Sequence, residues 1–246
     1  MLRTIAVGLF LVAYILVAGP VFILHCVVTG DAGLLYRVGV AGARLALWFA
    51  GVRIRGEGLE HIPAGVCMLV ANHTSNLDPP AVVAAIPRRV SLLGKKEVWR
   101  IPIFSRALTL AKFVPVDRKD RWAARASSNL AIRYLGEGVS FLIFPEGTRS
   151  PDGRIRPFKR GTFAIAIRAG VPVVPISVIG AHKLMPKGHF GLCPGEVTIR
   201  FHPAIDSRSY ALEHRDTLAR RAHDVVASGL SADQIPLSAA PRPPQA

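Results

Sequence analysis

The apolar positions of this chain fall into two regimes. From Ile5 to Leu24 twenty residues pass without a charge, enough helix to match a hydrocarbon core of about 30 Å. A turn signal follows at Gly30-Asp31-Ala32-Gly33. A second apolar segment then runs from Leu34 to Phe49, interrupted by Arg37 and Arg44, which are seven apart and so share a helical face. The pattern predicts an N-terminal hydrophobic helical hairpin over residues 1–50, its second helix interfacial with Trp48 near its end. Pro20 and the continuing run Val21-Phe22-Ile23-Leu24 offer no good cleavage site, so the segment reads as an anchor, not a signal peptide.

From Val52 the pattern changes to short apolar runs alternating with helical periodicity. Strands are predicted at Val52–Arg55, Val66–Ala71, Val90–Leu93, Lys112–Val116, Val139–Phe144, Val171–Ile179 and Glu196–Phe201. Helices are predicted at Pro79–Ile86, Arg121–Leu135, Thr162–Ala169 and Leu212–Ser228. Trp99-Arg100-Ile101-Pro102-Ile103-Phe104 reads as an apolar linker, and Pro172 and Pro175 mark the sixth strand as an edge or a bulge. Such alternation specifies an α/β domain over residues 51–233, with a mostly parallel central sheet flanked by helices. The Pro/Ala-rich residues 234–246 are expected to be a disordered tail.

Composition narrows the partners. Half of the 246 residues are hydrophobic, so the chain is not disordered, and the formal net charge is +15. That balance suits a polyanionic partner, either nucleic acid or an anionic membrane surface. The uncharged N-terminus beside it favours the membrane and argues against nucleic acid. Cys26, Cys67 and Cys193 are widely spaced and form neither a disulfide framework nor a zinc pattern, so no metal is expected.

Three stretches carry candidate chemistry. Asn72-His73-Thr74-Ser75-Asn76-Leu77-Asp78-Pro79-Pro80 follows the second strand. Residues five apart on a regular helix point about 140° away from each other, so His73 and Asp78 meet only through a turn, and Thr74, Ser75 and Asn76 favour one. A histidine held by a carboxylate is the base and orienter of an acyl-transfer site. The plainer alternative is that Asp78 caps the next helix, with Pro79 at its first position, and His73 satisfies a loop. Lys95, Lys96 and Arg118 end two later strands, where open α/β sheets bind ligands; they suit a phosphate or form a solvated basic edge. In Phe144-Pro145-Glu146-Gly147-Thr148-Arg149-Ser150, Gly147 permits inward-facing N–H groups and Arg149 offers a planar fork for phosphate. Here the alternative is a turn with a local Glu–Arg pair.

The form NHx4D at Asn72, His73 and Asp78 resembles the first signature of the 1-acyl-sn-glycerol-3-phosphate acyltransferases. GKKE…IP…VDR resembles their second motif, FPEGTRS matches the third letter for letter, and Val171-Pro172-Val173-Val174-Pro175-Ile176 resembles the fourth. The likeness implies His73 as general base and Asp78 as its partner. It implies that Arg118 contacts the acceptor's phosphate, with Lys95 and Lys96 nearby, and that Glu146, Gly147, Thr148 and Arg149 line the glycerophosphate site. It implies an acyl donor, acyl-CoA or acyl-carrier protein, with no resident cofactor, and lysophosphatidic acid as acceptor at the cytoplasmic face of the cell membrane. Two other readings stand beside it: a sister acyltransferase with another lysolipid acceptor, and a non-catalytic basic protein binding membrane or nucleic acid.

Overall fold

The computed structural model describes residues 1–117 and 120–236. Two long helices open the chain, α1 (Leu2–Thr29) and α2 (Gly33–Phe49). Gly30 ends α1 in the left-handed conformation at φ 73°, its N–H returning to the Cys26 carbonyl at 2.9 Å. The helices lie antiparallel because Gly42 lets α2 approach the Tyr14 ring: an added Cβ would stand 2.4 Å from it. The Tyr14 hydroxyl donates to the Val38 carbonyl at 2.9 Å.

The rest alternates β1 (Val52–Glu57), β2 (Met68–Ala71), α3 (Asp78–Ala85), β3 (Val90–Lys95), α4 (Pro102–Leu110), β4 (Val114–Val116), α5 (Arg121–Gly136), β5 (Ser140–Ile143), α6 (Arg160–Ala169), β6 (Val173–Ile179), α7 (Ala181–Leu184), β7 (Gly195–Phe201) and α8 (Arg215–Ser228). The seven strands form one sheet in the order β1-β7-β6-β2-β5-β3-β4. All pairs are parallel except β6 with β7. The innermost strands are buried along their whole length, as expected where helices cover both faces.

The two-residue alternation of the strands splits the core into two layers. Leu69, Ala71, Leu142, Val174 and Ile176 face α2 and α3, together with Val7 of α1. Met68, Val70, Phe141, Ile143 and Val173 face α5, α6 and α8. The hairpin therefore belongs to one face of the domain. Arg44 of α2 seals this contact, its Nε and Nη2 donating to the Ala84 carbonyl at the end of α3 at 3.2 and 2.7 Å.

Two expectations change, and the edge-or-bulge alternative for the sixth strand is decided. The apolar stretch after β3 is no linker: a 3-10 turn (Lys96–Arg100) leads into α4. Pro102 starts this helix, where a missing N–H costs nothing, and it packs on α1 with Ile103 against Gly19. Strand β6 is not an edge, since β2 and β7 flank it. It is bulged instead. Ile176 faces Phe201 whereas Val173 faces Ile205, so three steps on one strand match four on the other. Pro175 sits in that interval, where its missing N–H interrupts nothing further. Lastly, Gln234 does not begin a free tail. It is buried, its side chain donates to the Val178 carbonyl at 3.0 Å, and its own carbonyl accepts from Ile155 N–H at 2.8 Å. Residues 237–246 lie outside the described residues.

The close approach at Gly42 generates a first prediction. Gly42→Leu forces the Tyr14 ring aside, and overpacking of this kind costs about 1–3 kcal/mol. A lowered thermal midpoint in detergent, with α2 still helical, is the expected result. An unchanged midpoint would mean that the hairpin is not packed as described.

Candidate active site

Strand β2 ends at a residue that acts as a substitute strand. The Asn72 side-chain amide donates to the Val178 carbonyl at 3.0 Å and accepts from the Val178 N–H at 2.7 Å. The chain then turns off the sheet with its next side chain, His73, at the carboxyl end of the strands.

Five residues later the loop is closed by a single oxygen. Asp78 Oδ2 accepts from His73 Nδ1 at 2.8 Å, from Thr74 N–H at 2.6 Å and from Ser75 N–H at 2.8 Å. Asp78 is fully buried. It is the first residue of α3, with Leu77 at the N-cap, so its carboxylate turns back to the loop and does not cap its own helix. Because this oxygen is already the acceptor for two backbone N–H groups, the ring nitrogen facing it is the donor. The proton therefore sits on Nδ1, the tautomer that in a neutral imidazole gives the lone pair to Nε2. Ser75 is occupied elsewhere: its hydroxyl donates to the Met185 carbonyl at 2.8 Å.

The neighbouring strand β5 delivers the second loop. The Phe144 ring lies against the His73 ring, centroids 4.4 Å apart. Glu146 Oε1 accepts from the His73 N–H at 2.8 Å, and Ser150 N–H donates to the His73 carbonyl at 2.8 Å. Both main-chain groups of His73 are thus held by residues 146 and 150. Gly147 makes the turn possible at φ 74°, and a Cβ there would meet Lys159 Nζ at 2.6 Å.

Glu146 is 3% exposed, and among the described residues its Oε2 makes no well-aligned hydrogen bond. Burial pushes its carboxyl up to about 8. The His73 N–H and the Arg156 main chain and guanidinium oppose that shift, while the negative charge of Asp78 adds to it. Burial thereby makes Glu146 a carboxyl that keeps its proton near neutral pH.

The other residues expected at the site divide. Thr148 and Arg149 follow Gly147 on the loop, partly exposed; among the described residues the Arg149 guanidinium makes no hydrogen bond or ion pair. Lys95 and Lys96 are exposed at the end of β3, where Lys95 pairs with Glu97 at 3.5 Å and Lys96 with Asp117. Neither is hydrogen-bonded to the His73 or Arg149 loops. Arg118 lies outside the described residues. Glu146 meets the backbone of the histidine, not open solvent. Sequence reasoning missed Lys187, whose ammonium donates to the Arg149 carbonyl at 2.8 Å; no local pattern singles it out. Among the described residues no three His, Cys, Asp or Glu side chains gather as a metal-binding group.

A family model described as Acyltransferase matches residues 53–179. A 1-acyl-sn-glycerol-3-phosphate acyltransferase of Limnanthes douglasii is 34% identical over 199 residues, covering 80% of this chain and 70% of that protein. One from Pseudomonas aeruginosa is 34% identical over 167 residues, covering 66% of this chain and 64% of that protein. The crystal structure of the 1-acyl-sn-glycerophosphate acyltransferase PlsC of Thermotoga maritima superposes with a TM-score of 0.76 at 27% identity, covering 94% of this chain and 97% of that one.

The raised carboxyl of Glu146 links stability to pH. Folded, it holds its proton up to about 8, whereas its ordinary value is 4.5. Between those values the folded chain carries a proton that the unfolded chain has released, so rising pH favours unfolding. The stabilisation is complete below the lower value and is lost as pH passes the upper one. Glu146→Gln keeps the acceptor for His73 N–H but cannot ionise. Denaturant unfolding measured from pH 5 to 8.5 should show a downward contribution in the parent chain that is missing in the variant. Parallel pH curves would overturn the assignment of a neutral buried carboxyl.

Proposed function

The chain belongs to the 1-acyl-sn-glycerol-3-phosphate acyltransferase family, and on that premise we propose how it carries out the acylation of lysophosphatidic acid. The reaction moves a fatty acyl group from acyl-CoA or acyl-carrier protein to the 2-hydroxyl of 1-acyl-sn-glycerol 3-phosphate and gives phosphatidic acid. The observation that carries the mechanism is the hydrogen bond of His73 Nδ1 to Asp78 Oδ2 at 2.8 Å, which leaves Nε2 as the free base.

In this reading Nε2 takes the proton of the 2-hydroxyl as its oxygen attacks the thioester carbonyl. A tetrahedral oxyanion forms, the carbon–sulfur bond breaks, and the departing thiolate receives the proton from the imidazolium. Asp78 stabilises the imidazolium while it lasts. Ser75 takes no part as a nucleophile, since its hydroxyl is engaged by Met185, so no acyl-enzyme is formed. Arg149, with its fork free, recognises the acceptor's phosphate, Lys95 and Lys96 add positive potential at the end of β3, and the motif that holds Arg118 assigns that residue to the same phosphate.

The apolar hairpin sets the site at the bilayer surface. Helix α1 touches the domain near its start, where Thr4 Oγ1 accepts from Leu192 N–H at 3.0 Å. It touches it again in its second half, where Phe22, Ile23 and Cys26 cluster with Ala107 and Leu110. A helix held at both ends against one domain lies along that domain and dips into one leaflet. Its outer face, Leu9, Val17 and Val28 included, is exposed and meets lipid. The donors are cytosolic, so the site faces the cytoplasm.

His73→Ala should lower thioester turnover by about 10²–10⁴-fold while the protein stays folded and membrane-bound. Purified protein in detergent, a panel of lysolipids and free-thiol detection make the measurement. Near-normal turnover by the variant would sink the mechanism, and a preference for a lysolipid other than lysophosphatidic acid would move the acceptor assignment.

Arg149→Lys replaces a bidentate fork by a point charge. The acceptor's KM should rise about tenfold, with the donor's KM little changed. Equal changes in both would remove Arg149 from the phosphate site.

A further inference from the structure

We propose that the loop of residues 185–194 is a second lipid-contacting element, one that couples insertion of its tip into a bilayer to the order of the Arg149 loop. The proposal rests on the membrane reading of α1 given above and adds a contact to it.

The loop touches all three parts that must cooperate. At its start, the Met185 carbonyl receives the Ser75 hydroxyl of the histidine loop at 2.8 Å. Next, Lys187 Nζ holds the Arg149 carbonyl at 2.8 Å. Near its end, Leu192 N–H donates to Thr4 Oγ1 of α1 at 3.0 Å. Its two feet are fixed, because Met185 and Leu192 both pack on the main core. Between them Gly188 turns at φ 89°, His189 N–H returns to the Pro186 carbonyl at 3.1 Å, and Phe190 stands 80% exposed.

A lone exposed phenylalanine is unremarkable on a soluble surface. This one is two residues from Leu192, which is hydrogen-bonded to the helix whose outer face is apolar and uncovered. His189 beside it is suited to anionic headgroups, while Lys187 stays on the Arg149 carbonyl. Aromatic rings at the headgroup level, with basic neighbours, are the usual composition of an interfacial anchor. The occupant that fits is therefore a bilayer surface. When Phe190 enters it, the tip is immobilised, and with it the lysine that fixes the Arg149 main chain. Phosphate recognition is then completed only where the lysolipid resides.

Cys193 provides the probe, being the exposed cysteine while Cys26 and Cys67 are buried. An environment-sensitive dye on Cys193 of the full chain should shift to the blue when phosphatidylglycerol/phosphatidylcholine vesicles are added. Phe190→Ser should abolish that shift. It should also raise the KM for vesicle-embedded lysophosphatidic acid about tenfold, the scale of one buried aromatic side chain. The KM for a short-chain acceptor below its micellar concentration should not change. Lys187→Met should keep the dye response yet raise the acceptor KM in both presentations, with recovery in Lys187→Arg.

As the control, a dye at Val17→Cys, with Cys193 replaced by Ser, reports α1 alone. A shift at position 17 without one at 193 overturns the loop proposal and leaves the membrane reading of α1 standing; silence at both positions overturns both. A response to acyl-carrier protein but not to vesicles would also overturn it, by making the tip a protein-docking surface.

Discussion

Everything at this site depends on one carboxylate oxygen. Asp78 Oδ2 collects the His73 ring and the N–H groups of Thr74 and Ser75, and the residue is buried without solvent contact. A buried acceptor left unmatched costs about 1–3 kcal/mol, so the loop has a strong reason to adopt the one conformation that supplies all three donors. That conformation also orients the imidazole before any substrate arrives. Preorganisation of this kind is what converts binding into rate.

The second loop completes the restraint from the opposite side. Glu146 and Ser150 hold the N–H and carbonyl of His73, so neither ring nor backbone is free to turn. The arrangement places a second carboxyl close to Asp78, and burial resolves the conflict by keeping Glu146 protonated up to about 8. Asp78 bonds the histidine ring, and the neutral Glu146 carboxyl holds the histidine's backbone. Its Oε2, without a well-aligned hydrogen bond among the described residues, is a local cost that the packed sheet around it sustains.

The hairpin is part of the same machine. Arg44 of α2 caps the last turn of α3 at Ala84, and α3 begins with Asp78. A helix of eight residues thus joins the N-terminal helical pair at one end to the His73 loop at the other. The parallel strands β2, β5 and β3 supply the common carboxyl edge on which both motif loops stand, at the place where open α/β sheets put their ligands.

What the sequence determined by itself is what is written within a few neighbouring residues. The charge-free run from Ile5, the alternation of strands and helices, the turn between His73 and Asp78 and the glycine at 147 all follow from local periodicity and local conformational preference. The helix at Pro102–Leu110 reads instead as a linker, although Ile103, Phe104, Ala107 and Leu110 recur at helical spacing behind a proline suited to its first position. Other features were decided only by the tertiary structure. They are the central position of β6, the closure of Asn72 on Val178, the grip of Glu146 on the His73 backbone, the seat of Gln234 and the reach of Lys187 to Arg149. The physical reason is the same for each. The partners in the side-chain contacts are separated by 38 to 106 residues, and β6 reaches its place only by pairing with the distant β2, so no local pattern encodes them, and they form only after hydrophobic burial has stacked the strands and brought their ends together.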